Sequence, residues 1–252
     1  MPSKITLIHF AYPPHIGGVE TVLQEHAHLL AGFGYTVTVL TGSGKNTNPA
    51  ITLKEIPEFQ SLQSYNGQLQ KKILEEGVID EEFYALSGRI GVILEQELAN
   101  QDVIIVHNIL TIPRNLAFIH AFKKFVLEYP EKKYIAWTHD HFYVLEEKIR
   151  DIQTVSSSSF ERDLLLTPIP GISYVVISET FKHLLCDLLK MPAASVTVVP
   201  NGINIERFLE IDSQILQYME NKKLLNVFPS YTLTPLLAVA IQIRPAASSA
   251  MW

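Results

Sequence analysis

Short apolar runs of strand length alternate with stretches of helical period along most of this chain. ITLIHF (5–10) is apolar at nearly every position, the pattern of a strand buried on both faces of a parallel sheet. Behind it, after Pro-Pro and Gly-Gly, Val19, Val22, Leu23, His26, Leu29 and Leu30 recur at helical spacing, and the helix is expected to stop at Gly32 or Gly34. TVTVLTG (36–42) then supplies a second strand, as a right-handed crossover requires. AITLKEIP, DVIIVHN (102–108), YIAWTHDH (134–141), SYVVIS (173–178) and VTVVPNG (196–202) read as further strands. Two helical patterns run between 64 and 99, a third helix spans 113–129 with Pro113 in its first turn, and a fourth spans 179–190. This alternation predicts an α/β fold: a doubly wound, mostly parallel Rossmann-like sheet with helices on both faces.

In such sheets ligands bind in the crevice beyond the carboxyl ends of the strands. The polar clusters fall where that rule places a site: YPPHIGG, TGSG, HNIL, THDH, SET and PNG each follow an apolar run. One such cluster would mean little, but six make a polar rim.

Composition narrows the partners. With 252 residues, 47% of them hydrophobic, the chain can bury one large α/β core. Its 26 acidic and 20 basic residues give a net charge of -6, and no Lys/Arg cluster stands ready to neutralise a row of phosphates, so nucleic acid is not an expected partner. Cys186 is the only cysteine, which rules out an intramolecular disulfide framework and points to a reducing compartment, by default the cytoplasm. The apolar run before Pro13 is too short for a signal-peptide core. LLAVAI (236–241) falls far below the ~20 residues of a membrane span, which leaves peripheral contact with a membrane as the open alternative.

The candidate chemistry sits in the rim. Gly17 and Gly18 precede the first helix, where missing side chains and a positive dipole would let an anion approach the amides; a plain turn needing positive φ explains the pair equally well. Neither GxGxxG nor GxxxxGK[ST] is present. His139, Asp140 and His141 share one strand end, where a carboxylate beside an imidazole can orient it or raise its pKa, for proton transfer or for holding a sugar hydroxyl. No third ligand accompanies the two histidines, so no metal is assigned. His107 and Asn108 face the same crevice, with a local Asn turn as the alternative for Asn108. Glu20 complements the helix dipole or holds the loop, and His9, His28, His120 and His183 are read as structural. Pro200, Asn201 and Gly202 end the last strand in a turn that can act as a hinge.

YPPHIGGVETVLQEHAHLLAGFGYTVTVLTG, taken with VTVVPNGINIERF, resembles the retaining glycosyltransferases of family 4, which have the GT-B fold. VHN (106–108), THDH (138–141) and VVISET are similar to further strand ends of that family's amino-terminal domain, and the resemblance covers residues 4–208. It implies transfer of a hexose from a nucleotide sugar to a hydroxyl acceptor, whether sugar, glycoside or lipid-linked, with the anomeric configuration kept and no metal or other cofactor required. Carried over, Gly17 and Gly18 approach the donor diphosphate, His139 lies beside the transferred sugar with Asp140 in support, and His107 and Asn108 lie on the acceptor side. Asn201 and Gly202 mark the interdomain hinge.

The family's second, donor-binding domain is not expected within these 252 residues. The chain ends at Trp252, too soon after Phe208 for a domain of about 100 residues or more. The family's pair of glutamates with seven residues between them and its Arg-Lys diphosphate clamp have no counterpart in this sequence. The expected organisation is therefore an amino-terminal GT-B domain over 1–208, then a linker helix and an aberrant remnant of the donor domain over 209–252. A frame change after about Tyr231 is one reading of the tail, and a naturally short protein is the other. On either, little transferase activity is expected from the chain alone. Two alternatives remain: a non-catalytic acceptor-binding module, including a subunit that pairs with a separate donor half, and a nucleotide-binding Rossmann protein of another kind.

Overall fold

Strands whose side chains are apolar on both faces can be stable only between two layers of helices, and that is how the apolar runs are used. The structure, a computed structural model, describes residues 3–147, 159–202 and 213–222. β1 (Lys4–His9), β2 (Thr36–Thr41), β3 (Ile51–Glu55), β4 (Val103–His107), β5 (Lys133–Thr138), β6 (Ile172–Val176) and β7 (Val196–Val198) form one sheet, in the order β3-β2-β1-β4-β5-β6-β7. Every pairing is parallel. From β1 the chain first builds outward through β2 and β3, then returns to lay β4 on the other side of β1. The switch point, and with it the crevice, lies between β1 and β4.

The helices are α1 (Gly18–Gly32), α2 (Leu62–Tyr65), α3 (Gly67–Leu74), α4 (Glu81–Leu98), α5 (Leu116–Glu128), α6 (Phe142–Glu147), α7 (Ser159–Leu166) and α8 (Glu179–Leu189). One core joins Ile8, Ile104, Val106, Ala136 and Val176 of the sheet to α4, α5 and α8 through Leu94, Phe122 and Leu185. Strand residues of the opposite parity, among them Leu7, Ile105 and Trp137, are equally buried, and α1 packs along β1 and β2 with Leu23, His26, Ala27 and Leu30 inward. At about 1.5–3 kcal/mol for each large apolar side chain removed from water, these two layers supply most of the favourable side of folding.

Local signals decide the helix ends. Gly34, at φ 82°, closes α1, with its amide donating to Ala31 O and that of Tyr35 to Leu30 O. Pro113 does not open α5. The helix starts at Leu116, because Asn115 caps it by accepting from Phe118 N at 3.0 Å. The Asn115 amide also donates to the carbonyls of Glu58 and Gln60, at 2.9 and 2.8 Å, which pins the cap to the segment before α2. Within 59–84, Phe59, Leu62, Leu69, Ile73 and Phe83 are core residues, while Val78 and Tyr84 are exposed. No helix among the described residues is long and apolar enough to cross one.

The chain divides into two units, Met1–Val198 and Val199–Trp252. In the second, Ser213–Asn221 is a helix with Ile215 and Tyr218 exposed, and Lys222 Nζ lies 5.9 Å from the Tyr218 ring centroid. The end of VTVVPNGINIERF and the tail after 222 lie outside the described residues.

Candidate functional site

At the carboxyl edge of the sheet the register places His9 of β1, His107 of β4 and Trp137 of β5 on neighbouring strands, since Ile8 pairs with Val106 and His107 with Trp137. The chain then leaves β4 through Asn108, held at φ 59° and ψ −18°, a left-handed conformation that asparagine tolerates better than other residues with a side chain. Asn108 is buried, and its side chain bonds across to the residues after β5 while its carbonyl accepts from Thr111 N at 3.2 Å in the local turn. Its amide donates to Trp137 O at 3.0 Å, and its side-chain Oδ1 accepts from His139 N at 2.8 Å and Asp140 N at 3.3 Å. Its Nδ2 donates to Asp140 Oδ1 at 2.7 Å, and Thr111 Oγ1 adds a bond to Asp140 O at 2.8 Å. Asn108 therefore clamps the His139–Asp140 pair to the sheet.

His139 is half-buried, with Nε2 3.3 Å from His107 Nδ1 and the two rings stacked at 5.6 Å. Burial pushes its pKa down to about 4, and the neighbouring His9 adds to the effect while Glu20 opposes it. The described hydrogen bond of the Asp140 carboxylate goes to Asn108 and not to this imidazole. At neutral pH His139 is an uncharged hydrogen-bonding group. His107 is wholly buried and also held well below the usual histidine range, first by burial and then by His26, His139 and His9. His141 turns away from the crevice and fastens the loop instead. Its Nδ1 accepts from Tyr143 N at 3.3 Å, so its Nε2 donates to Leu165 O at 3.1 Å and ties the loop to α7.

The turn between β1 and α1 is built around a carboxylate. His9 Nδ1 donates to His107 O at 2.7 Å, and Glu20 Oε1 lies 3.7 Å from His9 Nε2. His9 beside it holds the Glu20 carboxyl below its usual range, against the opposing effect of burial. Gly17 is extended at φ −173°, and Gly18 is absent from the positive-φ residues, so neither glycine is there for positive φ. A Cβ at Gly17 would meet the end of the flexible Glu20 side chain, which would have to move aside. Gly18 is exposed, and a Cβ there would meet nothing within 4 Å, so the approach to the first turn of α1 is open. The YPPH loop is held by the segment after β2: Tyr12 N and Lys45 N donate to Ser43 O and Pro13 O, each at 2.8 Å, and Ser43 Oγ lies 3.0 Å from His15 Nε2. Gly44, at φ 150°, packs so closely on Tyr12 that a Cβ would not fit. Ile16 stands fully exposed beside the glycines.

Of the residues expected from sequence, the structure brings His107, Asn108, His139 and Asp140 into one bonded cluster, with Gly17 at the neighbouring turn. Asn201 is exposed and Gly202 half-buried, and both belong to the second unit. Sequence reasoning missed the part played by His9, set aside as structural, and it missed His26 and Trp137, which back the cluster from beneath. A histidine on the apolar stripe of α1 was the available signal for His26. Among the described residues no group of His, Cys, Asp or Glu side chains is arranged to hold a metal ion.

A family model described as Glycosyltransferase Family 4 matches residues 16–207. Solved structures that resemble the chain include WaaG, a glycosyltransferase involved in lipopolysaccharide biosynthesis, at 13% identity and a TM-score of 0.47, covering 87% of this chain and 51% of that one. A glycosyltransferase from Rickettsia africae ESF-5 is similar at 14% identity and a TM-score of 0.45, covering 88% of this chain and 49% of that one. The chain thus spans about half the length of these structures. No curated protein matches its sequence.

Proposed function

The chain belongs to glycosyltransferase family 4, and we propose that it forms the acceptor-side half of a retaining transfer of a hexose from a nucleotide sugar to a hydroxyl acceptor. The observation that carries this reading is the clamped, uncharged His139 at the end of β5, stacked on His107 of β4 beside the switch point where a doubly wound sheet takes its ligand. A neutral imidazole in a half-buried crevice suits hydrogen bonding to sugar hydroxyls, and Asp140 beside it offers acceptor oxygens. The diphosphate would approach the open Gly18 side of the α1 amino terminus, where amides and the helix dipole stabilise the negative charge developing on the leaving group. In the transfer the bond from the anomeric carbon to the diphosphate oxygen breaks, the acceptor oxygen bonds to the same face, and its proton passes to the departing phosphate.

His107 and Asn108 support the acceptor side, and Asn201 and Gly202 act as the hinge toward a donor domain. The donor is a substrate, and neither metal nor other cofactor enters this scheme. In this reading the reaction takes place in the cytoplasm, which suits a chain with a single cysteine, and a lipid-linked acceptor would bring the protein to a membrane surface. A second reading is a non-catalytic acceptor-binding module or a subunit that pairs with a separate donor half.

Calorimetry of the full chain with UDP, GDP and their hexose conjugates tests the assignment of donor binding. Weak or absent binding is expected, because most donor contacts belong to the other half. Tight nucleotide binding by this chain alone would overturn the reading and favour a nucleotide-binding Rossmann protein of another kind.

A further inference from the structure

Beneath the crevice His26 projects from the buried face of α1 toward the last rung of the sheet. It is wholly buried, and neither of its ring nitrogens has a hydrogen-bond partner among the described residues. His107 Nε2 and Trp137 Nε1 are buried and unpaired in the same way. The three rings form one cluster: His26 meets Trp137 edge-on at 4.4 Å and His107 at 5.3 Å, and His107 stacks on Trp137 at 5.8 Å. Each buried polar atom left unpaired costs about 1–3 kcal/mol, so four of them in one cluster are not explained by packing. Leucine or phenylalanine would fill the place of His26 without that cost.

We infer that an internal water joins Trp137, His26 and His107, and that His26 and Trp137 act through it as positioning residues that fix which nitrogen of His139 carries the proton. Indole Nε1–H can only donate. A water that accepts it has two protons to give, and the lone pairs on His107 Nε2 and on one His26 nitrogen receive them, matching the usual three bonds of a buried water. Neutral His107 then carries its proton on Nδ1 and donates to His139 Nε2, 3.3 Å away. Neutral His139 in turn carries its proton on Nδ1, the ring nitrogen that this bond leaves for a ligand. The chain of tautomers makes His139 a donor to a substrate oxygen and not a base. Only the identity of that oxygen rests on the proposed sugar transfer; the tautomer is a property of this chain by itself.

Nitrogen NMR of the ¹⁵N-labelled full chain at neutral pH, resolving the two nitrogens of each histidine, is the test. Protons on Nδ1 of both His107 and His139 are expected. His26→Leu removes a partner of the water and is expected to turn His139 into a mixture of tautomers, whereas His26→Gln, which can still donate and accept, keeps the single form. Trp137→Phe is the second variant and has the same expected effect as His26→Leu. His139 protonated on Nε2 in the unaltered chain overturns the inference, as does an unchanged His139 spectrum in whichever of His26→Leu and Trp137→Phe folds. If neither folds, the tautomer in the unaltered chain decides. The readout needs no substrate, so a failed sugar-transfer assay leaves it intact.

Discussion

Replacing Asn108 with alanine removes the clamp on His139 and Asp140, and the cost can be worked from its parts. The change strips the acceptor from His139 N and Asp140 N, bonded at 2.8 and 3.3 Å, and orphaning these half-buried amides costs about 2 kcal/mol together. The bond from Nδ2 to Asp140 Oδ1 is lost as well, at about 1 kcal/mol once the half-exposed carboxylate's access to solvent is discounted. Holding alanine at φ 59° adds about 1 kcal/mol. The expected loss is about 4 kcal/mol, a large share of the ~5–15 kcal/mol that stabilises a typical domain. Asn108→Gly escapes the backbone strain but gains freedom in the unfolded chain, so it recovers only about 0.5 kcal/mol relative to alanine. Asn108→Asp keeps the acceptor and sets a second carboxylate against Asp140, so it too is destabilised. Urea unfolding of the full chain followed by far-ultraviolet circular dichroism, with the slope compared between variants, reads these differences. An alanine variant within about 1 kcal/mol of the unaltered protein would refute the clamp.

Gly17→Ala pushes aside only the flexible end of the Glu20 side chain, so a loss under about 1 kcal/mol is expected, and it should disappear in a Glu20→Ala background in a double-mutant unfolding cycle. Gly18→Ala meets open space on a helical residue, so unfolding should show it equal to or up to ~1 kcal/mol more stable than the unaltered chain. Burial depresses His26 to about 3 and His139 and His141 to about 4, all from 6.5, so below pH 6.5 the unfolded chain takes up protons that the folded chain refuses. Stability is therefore full above that pH and falls as pH drops toward the folded values, by up to ~1.4 kcal/mol per pH unit per histidine; His26→Leu should flatten the slope by roughly one histidine's share in unfolding titrations.

The sheet was legible because buried parallel strands are written as unbroken apolar runs, and Val103–His107 is buried at every position. His139–Asp140 and His107–Asn108 were legible for a related reason, since polar residues directly after such runs must lie at the sheet's edge. What escaped the sequence depends on contacts between distant segments. His9 became part of the site through a bond to a carbonyl 98 residues away, which no local pattern encodes. Nothing local showed that the Glu20 side chain folds back against Gly17, and positive φ, the usual reason for a glycine, did not apply. His26 satisfied the helical period as if it were apolar, and its unpaired nitrogens became visible only beside Trp137. The start of α5 was misplaced because Pro113 is a generic signal, while Asn115 draws its strength as a cap from the carbonyls of Glu58 and Gln60 as well.

The central claim, that this crevice is the acceptor side of a retaining sugar transfer, is tested most directly by mixing the full chain with the donor domain of a family 4 enzyme. The mixture is supplied with that enzyme's nucleotide sugar and acceptor, and the product is followed by mass spectrometry and anomeric NMR. The account predicts transfer that requires this chain, keeps the anomeric configuration and is abolished by His139→Ala. Transfer undiminished by His139→Ala, or a product of inverted configuration, would contradict it.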